Sequence, residues 1–267
     1  MTGSGFGDLP AIPNFRDVGG HATQDGHRVR LGLLYRGGSL HGLSADQAGA
    51  VARLGLRSVY DFRTPRERRE RPDQLAPGVS YLAVDVLGGS GQGLVAKLMR
   101  SAFDPGTAQE VLGNGQGVSL WLEQYRDFVR LESAALAFGR VFREIADSAR
   151  RPALCHCATG KDRTGWAAAA LSLFLGVSFQ DVMADFLLSN ACLAPQLEQI
   201  AAQFSARGGD PELLDPLLRV RPAYLEVACE EVHLRFGTIE GYFADGLRLD
   251  TGQRRSLRDA FLTVSAD

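Results

Sequence analysis

The stretch CHCATGKDRTG, residues 155–165, decides how the rest of the chain is read. Before it runs PALCHC (152–157), apolar after its proline and short enough to be a buried strand. From Arg163 onward nearly everything has helical spacing: 163–175, 179–188, 195–206, 211–218, 222–236, 239–246 and 251–263. The quoted stretch is therefore a tight strand-to-helix turn. Such a turn aims successive backbone N–H groups at one point, beside the positive end of the helix. Gly160 relieves the steric limits on it.

That point is an anion cradle built from Ala158, Thr159, Gly160, Lys161, Asp162 and Arg163. Arg163 can lay a bidentate fork on two oxygens of a phosphate, and Lys161 adds a second cation at the rim. Cys157 stands at the floor of the cradle. The field that draws a phosphate also stabilises a thiolate, which is placed for in-line attack on phosphorus. Water then hydrolyses the phosphocysteine. The amides and Arg163 hold the equatorial oxygens, so the chemistry calls for no metal ion or cofactor. Thr164 is expected to hydrogen-bond the sulfur, and His156 to fix the loop through a backbone carbonyl.

Working outward, LLYRGG (33–38), LRSVYDF (56–62) and VSYLAVDV (79–86) read as strands. SADQAGAVARLG (44–55) reads as a helix with a Ser cap and a Gly stop. TPRERRERPD follows the second strand as a charged helix or turn with a solvated face. Residues 119–149 carry apolar positions at three and four spacing and form one long helix or two. Residues 1–32 read as an irregular arm, and the glycine-rich segment 88–117 as a mobile loop or flap. Strands in the first 160 residues and helices after them predict an α/β sheet flanked by helices, one domain over 1–267. Residues 191–219 are either packed helices or a lid over the site.

Composition sets the limits. The chain has 267 residues, 45% apolar and 22% charged, ordinary for a globular protein. A net charge of −2 argues against general affinity for nucleic acid. Four scattered cysteines make no C-x-x-C pair and no zinc spacing, which suits a reduced setting. Cys192 and Cys229 fall in helix patterns and are expected in the core. Cys155 is expected there too, with a protective disulfide to Cys157 as the alternative. There is no Sec-type signal and no 18-residue apolar run. The default reading is cytoplasmic, with export by another route left open. Oligomeric state is not legible.

The pattern H-C-x-x-G-K-D-R-T-G, with NFRDVGG (14–20), YRGGSL (35–40) and VYDFRTPRERR (59–69), resembles a bacterial tyrosine phosphatase family with mycobacterial and listerial members. YRDF (125–128), ADFLLSN (184–190) and VRPAYLE with FGTIEGYF (220–243) extend the likeness over most of the chain. The resemblance implies a protein tyrosine phosphatase-like fold, a central four- to five-stranded mixed sheet surrounded by helices. It implies phosphotyrosine, phosphoserine, phosphothreonine and phosphoinositides as substrates, and Lys161 suits a substrate with several phosphates. Two carboxyls compete as general acid. The resemblance makes Asp162 characteristic and favours it, although Lys161 and Arg163 depress a carboxyl there. Asp85 ends a strand just before the glycine-rich segment. Asn14 and Asp17 are expected to brace the loop, and Asp61, Arg63 and Glu67 to form a structural network from which Arg63 could reach a second phosphate. A catalytically silent phosphate-binding module and a rhodanese-like sulfurtransferase are the alternatives. Both cysteine and arginine are present, and the spacing to Arg163 favours phosphate.

Overall fold

The computed structural model describes residues 12–88 and 104–263. Its centre is a five-stranded sheet made of β1 (Arg16–Asp17), β2 (Leu34–Gly37), β3 (Ser58–Asp61), β4 (Ser80–Ala83) and β5 (Ala153–His156), in the order β1-β2-β5-β3-β4. β1 is antiparallel to β2; the other neighbours are parallel. The sheet is mixed, and the expected fold class holds.

Side chains alternate across the sheet as strand geometry requires. Tyr35, Val59 and Leu154 turn to the smaller face, where α1 (Ala45–Arg53) closes a core with Leu40, Val51 and Leu56. Leu34, Tyr60, Ala153 and Cys155 turn to the larger face, whose core reaches from Val18 to Phe261. At its heart lies a helix over Arg163–Phe174, with Trp166 and Leu171 fully buried. A helix apolar all round is a buried one.

The remaining helices, in chain order with these two, are α2 (Pro65–Glu70), α3 (Pro105–Leu112), α4 (Gln116–Arg130), α5 (Glu132–Ile145), the central α6 (Arg163–Phe174), α7 (Phe179–Ser205), α8 (Asp215–Leu218), α9 (Pro222–Phe236), α10 (Ile239–Gly241) and α11 (Thr251–Phe261). Two helices, α4 and α5, share the long amphipathic stretch, parted at Leu131, which is extended at ψ 134°. A 3-10 turn at Pro211–Leu214 and a π turn at Tyr242–Gly246 complete the set.

Three expectations change. The arm is not wholly irregular, because Arg16–Asp17 pairs with β2. The gap expected between 188 and 195 is absent: α7 runs through Pro195. Cys192 is exposed, while Cys155 is buried, Cys229 half-buried, and all four cysteines are free. Of the segment 88–117, residues 89–103 lie outside the described residues, and Asp104 caps α3 by accepting from the amides of Gly106 and Thr107. Phe204 and Leu214 are fully buried, which ties 191–219 into the core.

Because β2, β3, β4 and β5 run parallel, their C-terminal ends share one edge. The chain leaves that edge as Gly38–Ser39, Phe62–Thr64, Val84–Asp85 and Cys157–Asp162. Crevices at this edge are where open α/β sheets bind ligands.

Candidate active site

Loop 157–162 has its carbonyls tied from outside. Ala158 O accepts from Ser39 N at 3.2 Å, Thr159 O from Asn14 Nδ2 at 3.2 Å, and Gly160 O from Arg36 at 2.9 Å. His156 Nδ1 lies 3.2 Å from Cys157 O, the backbone contact expected of it. Among the described residues, the amides of residues 158–163 have no hydrogen-bond acceptor. Asp162, the residue before α6, makes no side-chain cap. The loop thus presents uncapped N–H groups and a helix N-terminus around Cys157, which is buried at 1% exposure. Gly160 is required: its φ is +73°, and a Cβ would sit 2.3 Å from Gly37 O.

Arg163 enters from the first turn of α6, and Glu67 fixes it. Nη1 donates to Oε2 at 2.8 Å and Nη2 to Oε1 at 2.7 Å, a two-pronged pair that sets the plane of the guanidinium. Thr64 opens α2 with a capping box in which Glu67 is the reciprocal acceptor. One carboxylate therefore starts a helix and aims the arginine. Burial works against both charges. For Glu67 the Arg163 pairing outweighs it and holds the carboxyl down to about 2. For Arg163 the opposing burial is outweighed by Glu67, with Cys157 and Asp162 adding to its hold on the proton. Sequence reading placed Glu67 with Asp61 and Arg63; its partner is 96 residues away.

The two candidate acids differ in surroundings. Lys161 Nζ bonds both oxygens of Asp162, at 2.8 and 2.7 Å. Tyr125 and Trp121 of α4 donate to Oδ1 at 3.0 and 3.2 Å. Lys161 also lies 5.3 Å from the Trp121 ring centroid. Asp162 is thus the hub of a donor cluster that sequence reading missed, although YRDF contains Tyr125. Asp85 follows β4 and accepts from the Leu87 and Gly88 amides at 3.0 and 3.2 Å. Burial raises its pKa above the ordinary aspartate value, opposed by those two amides and by the charges of Arg163 and Arg68.

The flanking network braces the loop. Arg16 donates to Asp185 of α7 at 2.7 Å and also bonds the Asn14 carboxamide. Asp17, expected to brace the loop, instead accepts from Gly19 and Gly32 at 2.7 and 2.6 Å and closes the arm. Thr164 Oγ1 is buried without a hydrogen-bond partner, so the expected bond to the cysteine sulfur is not formed. Arg63 is 1% exposed, clamped by Asp61 at 2.7 Å and by Asp73, and does not reach toward a second phosphate. Asp61, Asp73 and His156 bring potential metal ligands together, but the Arg63 guanidinium already bonds both carboxylates.

The parallel edge of the sheet thus carries Cys157 at the start of a loop whose amides have no acceptor among the described residues, and an arginine whose guanidinium is held in plane by Glu67. The model of the tyrosine phosphatase family matches residues 7–263, so the chain belongs to that family. A Cupriavidus necator protein whose name assigns it to the tyrosine-protein phosphatases is 34% identical over 245 residues, 91% of this chain and 85% of that one. The triple specificity protein phosphatase PtpB of Mycobacterium tuberculosis is 30% identical over 263 residues, 89% of this chain and 92% of that one. Among solved structures, the core catalytic domain of the PP-IP phosphatase SIW14 from S. cerevisiae, in complex with citrate, covers 68% of this chain and 77% of its own at 14% identity. Its TM-score of 0.37 is too low to bear on function.

Proposed function

We propose that the protein is a cysteine-dependent phosphomonoesterase that works through a phosphocysteine on Cys157. The observation that carries this is the loop's polarity: its carbonyls are bonded outward, its amides from 158 to 163 have no acceptor among the described residues, and the buried Cys157 opens it. The Cys157 sulfur attacks phosphorus in line. The P–S bond forms as the P–O bond to the leaving group breaks, and the leaving oxygen takes a proton from Asp85. Water then attacks phosphorus, gives its proton to Asp85, and the P–S bond breaks. Arg163, planar on Glu67, and the loop amides hold the three equatorial oxygens through both steps. The orphan hydroxyl of Thr164 is a donor for the sulfur as it leaves.

Asp85 takes the acid role in this reading because burial keeps its proton on to higher pH. Asp162 is committed to Lys161, Trp121 and Tyr125, and protonating it would break at least one of those bonds. Its part is to set the position of Lys161. For substrates, we take phosphotyrosine with phosphoserine, phosphothreonine and phosphoinositides. Lys161 supplies a cation beyond the one a monophosphate needs, and a relative of matching length is named for triple specificity.

The test is hydrolysis of p-nitrophenyl phosphate in EDTA by wild type and Cys157→Ser, followed by a panel of phosphopeptides and soluble phosphoinositides. Activity in EDTA that vanishes in the variant supports the reading. Metal-dependent activity surviving in Cys157→Ser overturns it.

A further inference from the structure

One charged group beside the cysteine has no part in the chemistry above. Arg36, on β2, is 1% exposed. Its Nη2 donates to Gly160 O at 2.9 Å, and its Nη1 to Asp185 Oδ2 at 2.8 Å. Its Nε is buried without a partner. A Cβ on Gly165 would lie 3.2 Å from the same guanidinium, so that glycine of the DRTG turn leaves Arg36 its place against α6. Asp185 is shared: Arg16 bonds its other oxygen at 2.7 Å. Two buried arginines thus surround one carboxylate and leave a net positive charge behind the loop.

We propose that Arg36 is a positioning residue for the reaction, holding the Gly160 carbonyl outward and presenting a fixed positive charge to the Cys157 sulfur from the carbonyl side of the loop. This rests on the cysteine-dependent reading. Burial and repulsion by Arg16 lower the Arg36 pKa to about 10, against Asp185 and Cys157, so it stays charged at neutral pH. Arg163, Arg36 and Tyr125 each feel the charge of Cys157. Glu67 and Asp162 act on Arg163, and Asp185 and Arg16 act on Arg36. With Arg163's charge faced by Glu67, Arg36 is a second cation for the sulfur, and its own counterion is split with Arg16.

The test is alkylation of Cys157 by iodoacetamide, a neutral reagent, read on the Cys157 peptide by mass spectrometry. It needs no turnover, so failure here is separable from failure of the phosphatase reading, which Cys157→Ser decides. Arg36→Met is expected to slow alkylation about tenfold at about pH 5, with the difference vanishing by about pH 9, and Arg36→Lys to restore most of the rate. Equal slowing at both pH values would show a purely structural arginine and overturn the proposal. If Arg36→Met fails to fold, Asp185→Asn decides: faster alkylation than wild type at about pH 5 supports the inference, and an unchanged or slower rate overturns it.

Discussion

Glu67 shows what a single residue can do by holding another. Its two oxygens fix the Arg163 guanidinium, and a glutamine can return only one acceptor. Glu67→Gln should lower kcat/KM about 100-fold through misplacement of the fork. Steady-state kinetics with p-nitrophenyl phosphate measures this. The two aspartates are separated by leaving group. Asp85→Asn should cost about 10²–10⁴-fold with phenyl phosphate, whose leaving oxygen needs a proton, and much less with p-nitrophenyl phosphate. Asp85 has a raised pKa, so kcat falls as pH climbs through it, and that limb should be missing in Asp85→Asn. Asp162→Asn should keep the limb. Disappearance of that high-pH limb with Asp162→Asn instead would reverse the assignment. The strand-to-helix turn from Cys157 to Arg163 was legible because it spans only seven positions of the sequence. Glu67 was not, since spacing says nothing about a partner 96 residues away. The TPRE capping pattern was the only local sign that its carboxylate is fixed in place.

Elements were legible where the chain carries its own start and stop signals. Ser44 makes the capping box that opens α1, as the sequence suggested. The 3.6-residue spacing located α4 and α5 closely. Arg16–Asp17 was hidden because a two-residue strand has no periodicity to read. The proline in α7 misled for a physical reason. It removes one N–H and costs about 3 kcal/mol in a helix interior, but Leu193 and Leu197 on either side are buried, and their packing keeps the helix continuous. At the cradle, Gly160→Ala meets both a positive φ and the Gly37 carbonyl. It should destabilise the fold by about 1–3 kcal/mol and nearly abolish vanadate binding, checked by chemical denaturation and competitive inhibition.

Across the molecule, several buried carboxylates carry opposite signs of pH dependence. Against burial, Arg163 holds Glu67 near 2, and Arg36 and Arg16 hold Asp185 near 2. Folded values depressed in this way give stability that is complete above the unfolded carboxylate range, about pH 4, and lost as pH falls through about 2. Asp17 and Asp85, raised by burial, act the other way and soften the loss. Melting temperature should therefore drop between about pH 4 and 2, with a shallower slope in Glu67→Gln. Sheet and helices were legible as a class because β2, β3 and β5, buried on both faces, lie in short apolar runs. Their order, β1-β2-β5-β3-β4, was not, since pairing across the chain leaves no local mark. Yet that order puts the loops after β3 and β5 side by side, and so Glu67 against Arg163.

The most direct test is rapid acid quench of wild type and Asp85→Asn during turnover of a phosphomonoester, with peptide mass spectrometry of the trapped enzyme. The account predicts one phosphoryl group on the sulfur of Cys157. A phosphoryl group on any other residue, or turnover at full rate with Cys157 replaced by serine, would contradict it.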